Sequence, residues 1–184
     1  FTRGKQKITH DYPLFERPEG PARGFNASDV IYLLMPDRFA NGSTSNDNVE
    51  GMTEQLNRAN PGGRHGGDLK GITDNLDYLH SLGVTGIWLN PFLENNQHHS
   101  SYHGYSTTDF YKSDPRYGSN EEFRNLVAEA HKRGMKVVMD MIFNHIGSFH
   151  WWMKDLPSND WIHQFDEFTR TNYRASTYMD PYAS

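Results

Sequence analysis

Three short apolar runs, each followed by a polar loop, most constrain the fold of this chain of 184 residues. They occupy residues 30–35, 84–89 and 135–143, and their continuous apolar character is typical of strands that are buried on both faces. A segment with helical spacing lies between each run and the next. Strands that alternate with helices pair in parallel through right-handed crossovers, so the sequence predicts an α/β fold with a parallel sheet.

Two amphipathic helices are predicted between these strands. Gly83 and Gly134 stand where the two helices would end, and Ser119 with Glu122 forms a capping box at the start of the second. The apolar faces consist of Leu69, Ile72, Leu76 and Leu79 in the first helix and of Phe123, Leu126, Val127 and Ala130 in the second. The third strand then extends from residue 136 to 143.

Long loops follow the strands, whereas the links from helix to strand are short. The first two long loops span residues 40–67 and 93–118. This asymmetry is typical of a (β/α)₈ barrel or a doubly wound sheet, in which ligands bind at the carboxyl ends of the strands. A full barrel needs about 250 residues and eight strands. We therefore expect this segment to be part of a longer chain and not to fold stably alone.

Composition excludes several classes of function. The chain has no cysteine, so disulfides, thiol catalysis and thiolate zinc sites are absent. Its net charge of −5 gives no basic footprint for nucleic acid. No apolar run approaches the roughly 18–20 residues that cross a bilayer, and the first residues lack the apolar core of a signal peptide. We expect a soluble protein, and the sequence leaves open a cytoplasmic or an extracytoplasmic location, periplasmic or secreted.

The hexapeptide from Asp140 to His145 is the strongest candidate for a site. Asp140, Asn144 and His145 arrive together at the predicted carboxyl end of the third strand. Each alone would more often be a structural group. Their coincidence at a ligand-binding edge favours a functional site.

The loop after the first strand is rich in oxygen ligands. Residues 37–47 contain Asn41, Asn46 and Asp47, and residues 66–68 add a carbonyl and the carboxylate of Asp68. Oxygen donors of this kind suit calcium. The alternative is that Asn and Gly form turns and that Asp68 caps the helix that begins at Leu69.

The loop after the second strand places tyrosines around a His-Gly turn, in residues 102–111. Such rings beside an imidazole could stack on a ligand, and a packed loop is an equally good interpretation. The high aromatic content, with eleven Phe, ten Tyr and four Trp, favours a carbohydrate ligand or a loop-rich fold that packs these rings.

Taken together, these stretches resemble the α-amylase family of glycoside hydrolases, especially its cyclomaltodextrinase and neopullulanase branch. The resemblance covers about residues 30–147 and rests on motifs in the family's order. They are Pro-Asp-Arg-Phe-Ala-Asn-Gly at 36–42, Gly-Gly-Asp-Leu-Lys-Gly-Ile at 66–72, Trp-Leu-Asn-Pro at 88–91, Tyr-His-Gly-Tyr at 102–105 and Asp-Met-Ile-Phe-Asn-His at 140–145.

The resemblance implies that the chain contains the first three βα units of a (β/α)₈ TIM barrel. Residues 1–28 would be a linker or lead-in, and residues 29–145 the first part of the barrel. Residues 146–184 would begin an irregular domain inserted after strand 3.

The resemblance also implies roles for individual residues. His103, Tyr105 and His145 match residues that hold the sugar ring under attack, with Tyr105 stacking on the ring and the histidines donating hydrogen bonds to its hydroxyls. Asp140 matches a carboxylate that orients the site. Asn144 matches a calcium ligand in many amylases, but this branch often lacks that second ion. Calcium itself would be held by Asn41, Ser43, Asn46, Asp47, Gly66 and Asp68, although relatives often carry Asp in place of Ser43.

The activity implied is retaining hydrolysis of α-1,4-glucosidic bonds in starch, maltodextrins or cyclodextrins. The family's nucleophile and acid/base lie on later strands, and no Arg-x-Asp follows Phe143, so no catalytic residue is assigned within this segment. We expect the segment alone to be inactive. The alternatives are a carbohydrate-binding relative without catalytic carboxylates and a metal-dependent barrel lyase, and a homo-oligomer is not excluded.

Overall fold

The computed structural model describes residues 24–161, together with residues 2–3, 6–7, 9, 11, 13 and 14. Its strands are β1 (Thr2–Arg3), β2 (Gln6–Lys7), β3 (Ile31–Leu34), β4 (Gly86–Leu89), β5 (Leu93–Glu94), β6 (Asp109–Ser113) and β7 (Lys136–Met139). Its α-helices are α1 (Pro36–Phe39), α2 (Leu69–Asp74), α3 (Leu76–Ser81) and α4 (Asn120–Lys132). Short 3₁₀ helices occupy Thr44–Asn46, Ser101–His103 and Trp151–Met153.

The predicted parallel sheet is confirmed. Its order is β3-β4-β7, and β4 pairs in parallel with both neighbours. Leu33, Trp88 and Val138 lie side by side across the three strands, as do Leu34, Leu89 and Met139. Because side chains alternate along a strand, these two rows point to opposite faces of the sheet.

Helices cover only one of the two faces. The eight residues predicted to form the apolar helix faces include six that are fully buried, Leu69, Ile72, Leu76, Leu79, Leu126 and Ala130. They pack in one cluster with Leu34, Ile87 and Leu89 of the sheet. The opposite face is open: Leu33 is 62% exposed and Trp88 is 42% exposed. The prediction of strands buried on both faces is therefore wrong for this face in the described residues.

Helix boundaries follow the local sequence. Ser119 and Glu122 make the predicted reciprocal capping box at the start of α4. Gly83 and Gly134 both have positive φ after the helices they terminate, as predicted. The first helix is broken, however, because it divides at Asn75 into α2 and α3. The side-chain amide of Asn75 donates to the carbonyl of Gly71, a local bond that competes with the helical pattern.

The structure differs from the sequence predictions in three further respects, which concern strand ends and loops. The third strand ends at Met139 instead of continuing to residue 143, so Asp140 directly follows the ladder. The loop predicted for residues 93–118 contains the antiparallel pair β5–β6. The lead-in contains the small antiparallel pair β1–β2. The predicted inserted domain, residues 146–184, lies largely outside the described residues.

A buried ion pair closes the loop that leads into α4. Asp114 and Arg116 are 0% and 1% exposed, and Arg116 donates to both carboxylate oxygens, at 2.8 and 2.7 Å. Burial alone would raise the pKa of Asp114, but the hydrogen bonds from Arg116 and the nearby charge of Arg64 hold that pKa below its usual value.

We predict that Arg116→Met lowers the free energy of unfolding by about 3–5 kcal/mol, because it leaves the Asp114 carboxylate buried without a charge partner. Chemical denaturation of the purified full-length protein measures this. Arg124→Met is the matched control, since Arg124 pairs with Glu121 on the exposed face of α4. It should change the unfolding free energy by less than about 0.5 kcal/mol. Equal effects of the two substitutions would contradict the prediction.

Candidate functional site

Asp140 lies at the carboxyl edge of the sheet, on its open face. It stands two residues beyond Val138, so it shares a face with Trp88, the residue that pairs with Val138. The indole N–H of Trp88 donates to Asp140 Oδ2 at 3.2 Å. The hydroxyl of Tyr105, from the loop after β4, donates to the same oxygen at 3.1 Å. Two neutral donors thus fix one oxygen of this carboxylate.

The predicted His-Gly turn places Tyr105 above His103. Gly104 has a φ of +84°, and a Cβ there would collide with the carbonyl of Pro91. Only glycine fits this turn without strain. The backbone N–H of Tyr105 donates to His103 Nδ1 at 2.9 Å, and the two rings stack with their centroids 5.9 Å apart. Since Nδ1 accepts, neutral His103 carries its proton on Nε2 and presents a donor there.

His145 joins this pair from the loop after β7. Its Nε2 lies 2.8 Å from the carbonyl oxygen of Tyr105. A carbonyl only accepts, so Nε2 carries a proton and donates to it. Neutral His145 then presents Nδ1 as an acceptor. In this arrangement neutral His103 presents an N–H donor, whereas the N–H of His145 is used within the protein. That both histidines donate to hydroxyls of a sugar stays a prediction.

The loop after β7 is seated closely on the loop after β4. The Gly147 N–H donates to the Thr107 carbonyl at 2.8 Å, and Ser148 Oγ donates to Gln97 Oε1 at 3.2 Å. A Cβ on Gly147 would meet both the Gln97 amide and the carbonyl of Ser106. This close approach of the two loops brings His145 to Tyr105.

The surroundings of His103 and Tyr105 shift the pKa values of both side chains. Burial lowers the pKa of His103, and the charge of Glu54 only partly opposes this. Burial also raises the pKa of Tyr105, and its hydrogen bond to Asp140 adds to that increase. Both shifts keep the groups neutral near pH 7, so the site offers neutral donors and a stacking ring beside one carboxylate.

The four residues predicted for the sugar subsite and its orientation are thus brought together: His103, Tyr105, Asp140 and His145 form one connected chain of contacts. Sequence reasoning gave Trp88 no role, although it lay inside a quoted motif. The register of the three parallel strands could have indicated a role for Trp88. A residue near the end of β4 on the open face of the sheet must lie close to the residue that follows β7 on the same face.

In the oxygen-rich loop after β3, Asp68 acts as the helix cap that the alternative interpretation expected. It caps α2 by accepting from the N–H of Gly71 at 2.6 Å. Its two oxygens also accept from the N–H groups of Gly42 and Ser43, at 3.0 and 2.9 Å. The carboxylate therefore ties the first loop to the start of α2 whether or not it also binds a cation.

Asn41, Asp47 and Gly66 form the second part of this loop. The Asn41 amide donates to Asp47 Oδ1 at 2.6 Å, and a Cβ on Gly66 would contact both side chains. Asn41 Oδ1 is buried without a hydrogen-bond partner. An unpartnered buried oxygen next to a carboxylate suits a hard cation.

Asn46 faces Asp68 Oδ2 and the Ser43 carbonyl. Its amide nitrogen donates to both when turned towards them, with a distance of 3.3 Å to Asp68. In the opposite orientation three oxygens converge, which a cation would stabilise. Within the described part of the chain, no cluster of three or more His, Cys, Asp or Glu side chains is placed to hold a metal ion, so any ion here would depend on amide and carbonyl oxygens as well.

The fold and site thus define an α/β protein with neutral hydrogen-bond donors, a stacking ring and one carboxylate at the carboxyl edge of a parallel sheet. Comparison with known families extends this: residues 33–182 match the alpha amylase catalytic domain. The chain belongs to the α-amylase family. This match removes the support for a metal-dependent barrel lyase.

Individual relatives agree. The chain is 38% identical over 167 residues to Neopullulanase 2 of Thermoactinomyces vulgaris, a match that covers 83% of this chain and 27% of that protein. Other relatives are named intracellular maltogenic amylase, cyclomaltodextrinase and periplasmic alpha-amylase. The chain spans about a quarter of the length of Neopullulanase 2 and of the intracellular maltogenic amylase, and less of some other relatives.

Two solved structures share the fold. An Anoxybacillus alpha-amylase superposes with a TM-score of 0.69 at 41% identity, covering 80% of this chain and 30% of that one. The alpha-amylase of Geobacillus thermoleovorans, complexed with acarbose, gives a TM-score of 0.64 at 40% identity with the same coverages. The (β/α)₈ glycosidase fold predicted from sequence is confirmed. Among the described residues no helix is both long and apolar enough to cross a membrane.

We predict that Gly147→Ala destabilises the protein by about 1–3 kcal/mol, because the added methyl forces the loop after β7 away from a backbone carbonyl. Gly24→Ala is the control, since a Cβ at Gly24 meets nothing within 4 Å. Chemical denaturation gives the stability change, and a crystal structure of the variant shows whether His145 has left Tyr105. An unchanged stability with His145 in place would refute the tight seating of this loop.

We also predict that His103 titrates below pH 6.5 in the folded protein. The unfolded chain then takes up this proton first as the pH falls. The stabilisation from neutral His103 is present above about pH 6.5 and decreases as the pH drops below that value. NMR titration of the imidazole signals measures this, with His103→Gln assigning the resonance. A titration midpoint of His103 above pH 6.5 would show that burial does not determine the direction of its pKa shift.

Proposed function

We propose that this chain forms the first part of the catalytic barrel of a retaining glycoside hydrolase that cleaves α-1,4-glucosidic bonds in maltodextrins, cyclodextrins or starch. The observation that carries the proposal is the connected group of Trp88, His103, Tyr105, Asp140 and His145 at one sheet edge. Family membership and relatives named neopullulanase and cyclomaltodextrinase support it.

The open face of the sheet fits this proposal. Leu33, Trp88 and Val138 form a row that the described residues leave partly uncovered. In a closed barrel, such a row faces the interior and is covered by side chains of the other strands. We infer that further strands of a longer protein complete this interior.

The residues present would bind and orient a glucose ring. The ring of Tyr105 offers a flat apolar face, and Nε2–H of His103 offers a donor for a hydroxyl. Neutral His145 offers Nδ1 as an acceptor from a hydroxyl. Asp140 keeps its second oxygen, Oδ1, free of the two donors on Oδ2, so it can accept from the sugar or from a neighbouring cationic group.

Asp140 is proposed to orient substrate and not to attack it. Retaining hydrolysis needs a nucleophilic carboxylate and a carboxylic acid about 5–5.5 Å apart on either side of the scissile bond. Oδ2 of Asp140 already accepts from Trp88 and Tyr105, which suits an orienting role. The two catalytic carboxylates would come from strands outside this sequence.

Calcium is proposed for the first loop. Asn41, Asp47 and Gly66 fit best, because the buried Asn41 Oδ1 lacks a partner. Ser43, Asn46 and Asp68 would complete the oxygen set. Bound calcium would neutralise the clustered oxygens and stiffen the loop that Asp68 anchors to α2. These ligands do not include Asp140 or Tyr105, so we propose that the ion supports the fold rather than the reaction.

We predict that Tyr105→Ala lowers kcat/KM of the full-length protein on maltoheptaose by at least about 100-fold, through loss of the stacking ring and of a positioning hydrogen bond. Tyr105→Phe keeps the ring and should lose about tenfold, the effect of one hydrogen bond to a charged group. Tyr78→Ala, on the exposed surface of α3, is the control.

NMR of the released sugar shows whether the configuration at the anomeric carbon is retained. Binding without hydrolysis by the wild type would favour the non-catalytic alternative.

The isolated chain of 184 residues should not hydrolyse maltodextrins or cyclodextrins, because it carries orienting groups without an assigned nucleophile or acid. A purified 184-residue preparation is assayed beside the full-length protein. Turnover by the short chain would refute the assignment of catalysis to other strands.

We predict that calcium at 100 times its Kd stabilises the full-length protein by about 2.7 kcal/mol and that EDTA reverses this. Asp47→Asn should weaken calcium binding in a calorimetric titration. Asp74→Asn is the control, because Asp74 forms an exposed pair with Lys70 on α2. Absence of calcium binding by the wild type, or equal effects of both substitutions, would contradict the proposed ligand set.

A further inference from the structure

The 3₁₀ helix Ser101–His103 carries one of the proposed sugar-binding side chains, but its own N-terminal residue does not cap it. Ser100 stands at the N-cap position, and its side chain makes no capping hydrogen bond. Among the described residues, Ser100 is the only residue other than glycine with a positive φ, at +56°. This left-handed conformation is unfavourable for a residue with a Cβ, so contacts from elsewhere in the protein must hold it.

Glu54, in the loop after β3, makes these contacts. Its Oε1 accepts from the N–H of Ser100 at 3.2 Å, and its Oε2 accepts from the N–H of Ser101 at 2.7 Å. Hydrogen bonds to a charged carboxylate are stronger than those to a neutral acceptor. One side chain therefore caps a helix in a different loop and holds Ser100 in its left-handed conformation.

The backbone around Glu54 is itself held in place. The carbonyl of Glu54 accepts from Nη1 of the buried Arg116 at 2.6 Å. The N–H of Thr53, the preceding residue, donates to Oδ1 of Asn96 at 2.7 Å. Both contacts join the loop after β3 to the segment between β4 and α4, so the carboxylate approaches Ser100 from a fixed backbone.

The capped helix leads directly into the candidate site. His103 is its last residue, and the N–H of Tyr105 returns to His103 Nδ1 across the His-Gly turn. Burial lowers the pKa of His103, and the negative charge of Glu54 opposes that shift. The rings of Tyr102 and Tyr105 pack on the same imidazole, and Glu54 supplies the charge that acts on it.

We propose that Glu54 is a positioning residue for the sugar site, which caps the helix Ser101–His103 from the other loop and thereby fixes His103 and Tyr105. The proposal rests on the proposed function. It extends that function to a carboxylate outside the group of residues assigned to the sugar. Glu54 acts through the His-Gly turn and not by touching the substrate.

The test replaces Glu54 in the full-length protein and measures hydrolysis of maltoheptaose. Glu54→Ala removes both acceptor oxygens and should lower kcat/KM by about 10–100-fold, because the turn moves away from its working position. Glu54→Gln keeps an acceptor oxygen and should lose only about fivefold, the difference between a charged and a neutral acceptor. Glu50→Ala is the matched control, since Glu50 is an exposed carboxylate of the same loop. Equal kcat/KM values for Glu54→Ala and Glu50→Ala would overturn the proposal.

NMR titration of His103 adds a readout that does not depend on hydrolysis. Glu54→Gln should lower the titration midpoint of His103, because the imidazolium loses a negative neighbour, and Glu50→Ala should leave it unchanged. An unchanged midpoint in Glu54→Gln would refute the proposal, including the case in which Glu54→Ala does not fold. If the wild type does not hydrolyse maltoheptaose, the proposed function fails, and this titration alone decides whether Glu54 acts on His103.

Discussion

The buried ion pair of Asp114 and Arg116 holds the two long loops in one arrangement. Besides the carboxylate, Arg116 donates to the carbonyls of Glu54 and Asn95, at 2.6 and 2.9 Å. One guanidinium thus connects the loop after β3 to the loop after β4. The charges are costly to bury, and six directed hydrogen bonds made within this pair and with its neighbours offset that cost only in one geometry. We infer that the pair selects a specific loop arrangement.

The same network reaches the site. The Glu54 carboxylate accepts from the N–H groups of Ser100 and Ser101, just before the His-Gly turn. The hydroxyl of Tyr117, which follows Arg116, donates to the carbonyl of Tyr102 at 2.6 Å. The short helix that precedes Tyr105 is therefore tied to Glu54 at its start and to the buried Tyr117 at its middle residue. A loop with this many anchors can present a ring and an imidazole at fixed positions.

Sequence reasoning predicted the sheet, the helix caps and the group of residues that meet at the sheet edge because each has a local signal. Apolar runs, Ser119 with Glu122, and Asp140 with His145 are all visible in short windows. The Arg116 network was missed because its partners lie up to 62 residues apart along the chain. The role of Trp88 depends on strand register, and the seating of Gly147 depends on a contact with Gln97 in another loop. Neither is encoded in a local pattern.

The central claim is that the residues after β4 and after β7 together form one glucose-binding site. A crystal structure of the full-length protein with a bound maltooligosaccharide tests it most directly. The account predicts a glucose ring stacked on Tyr105, with a hydroxyl about 3 Å from His103 Nε2 and another near Asp140 or His145. A sugar bound elsewhere, with these four side chains facing solvent or other protein groups, would contradict it.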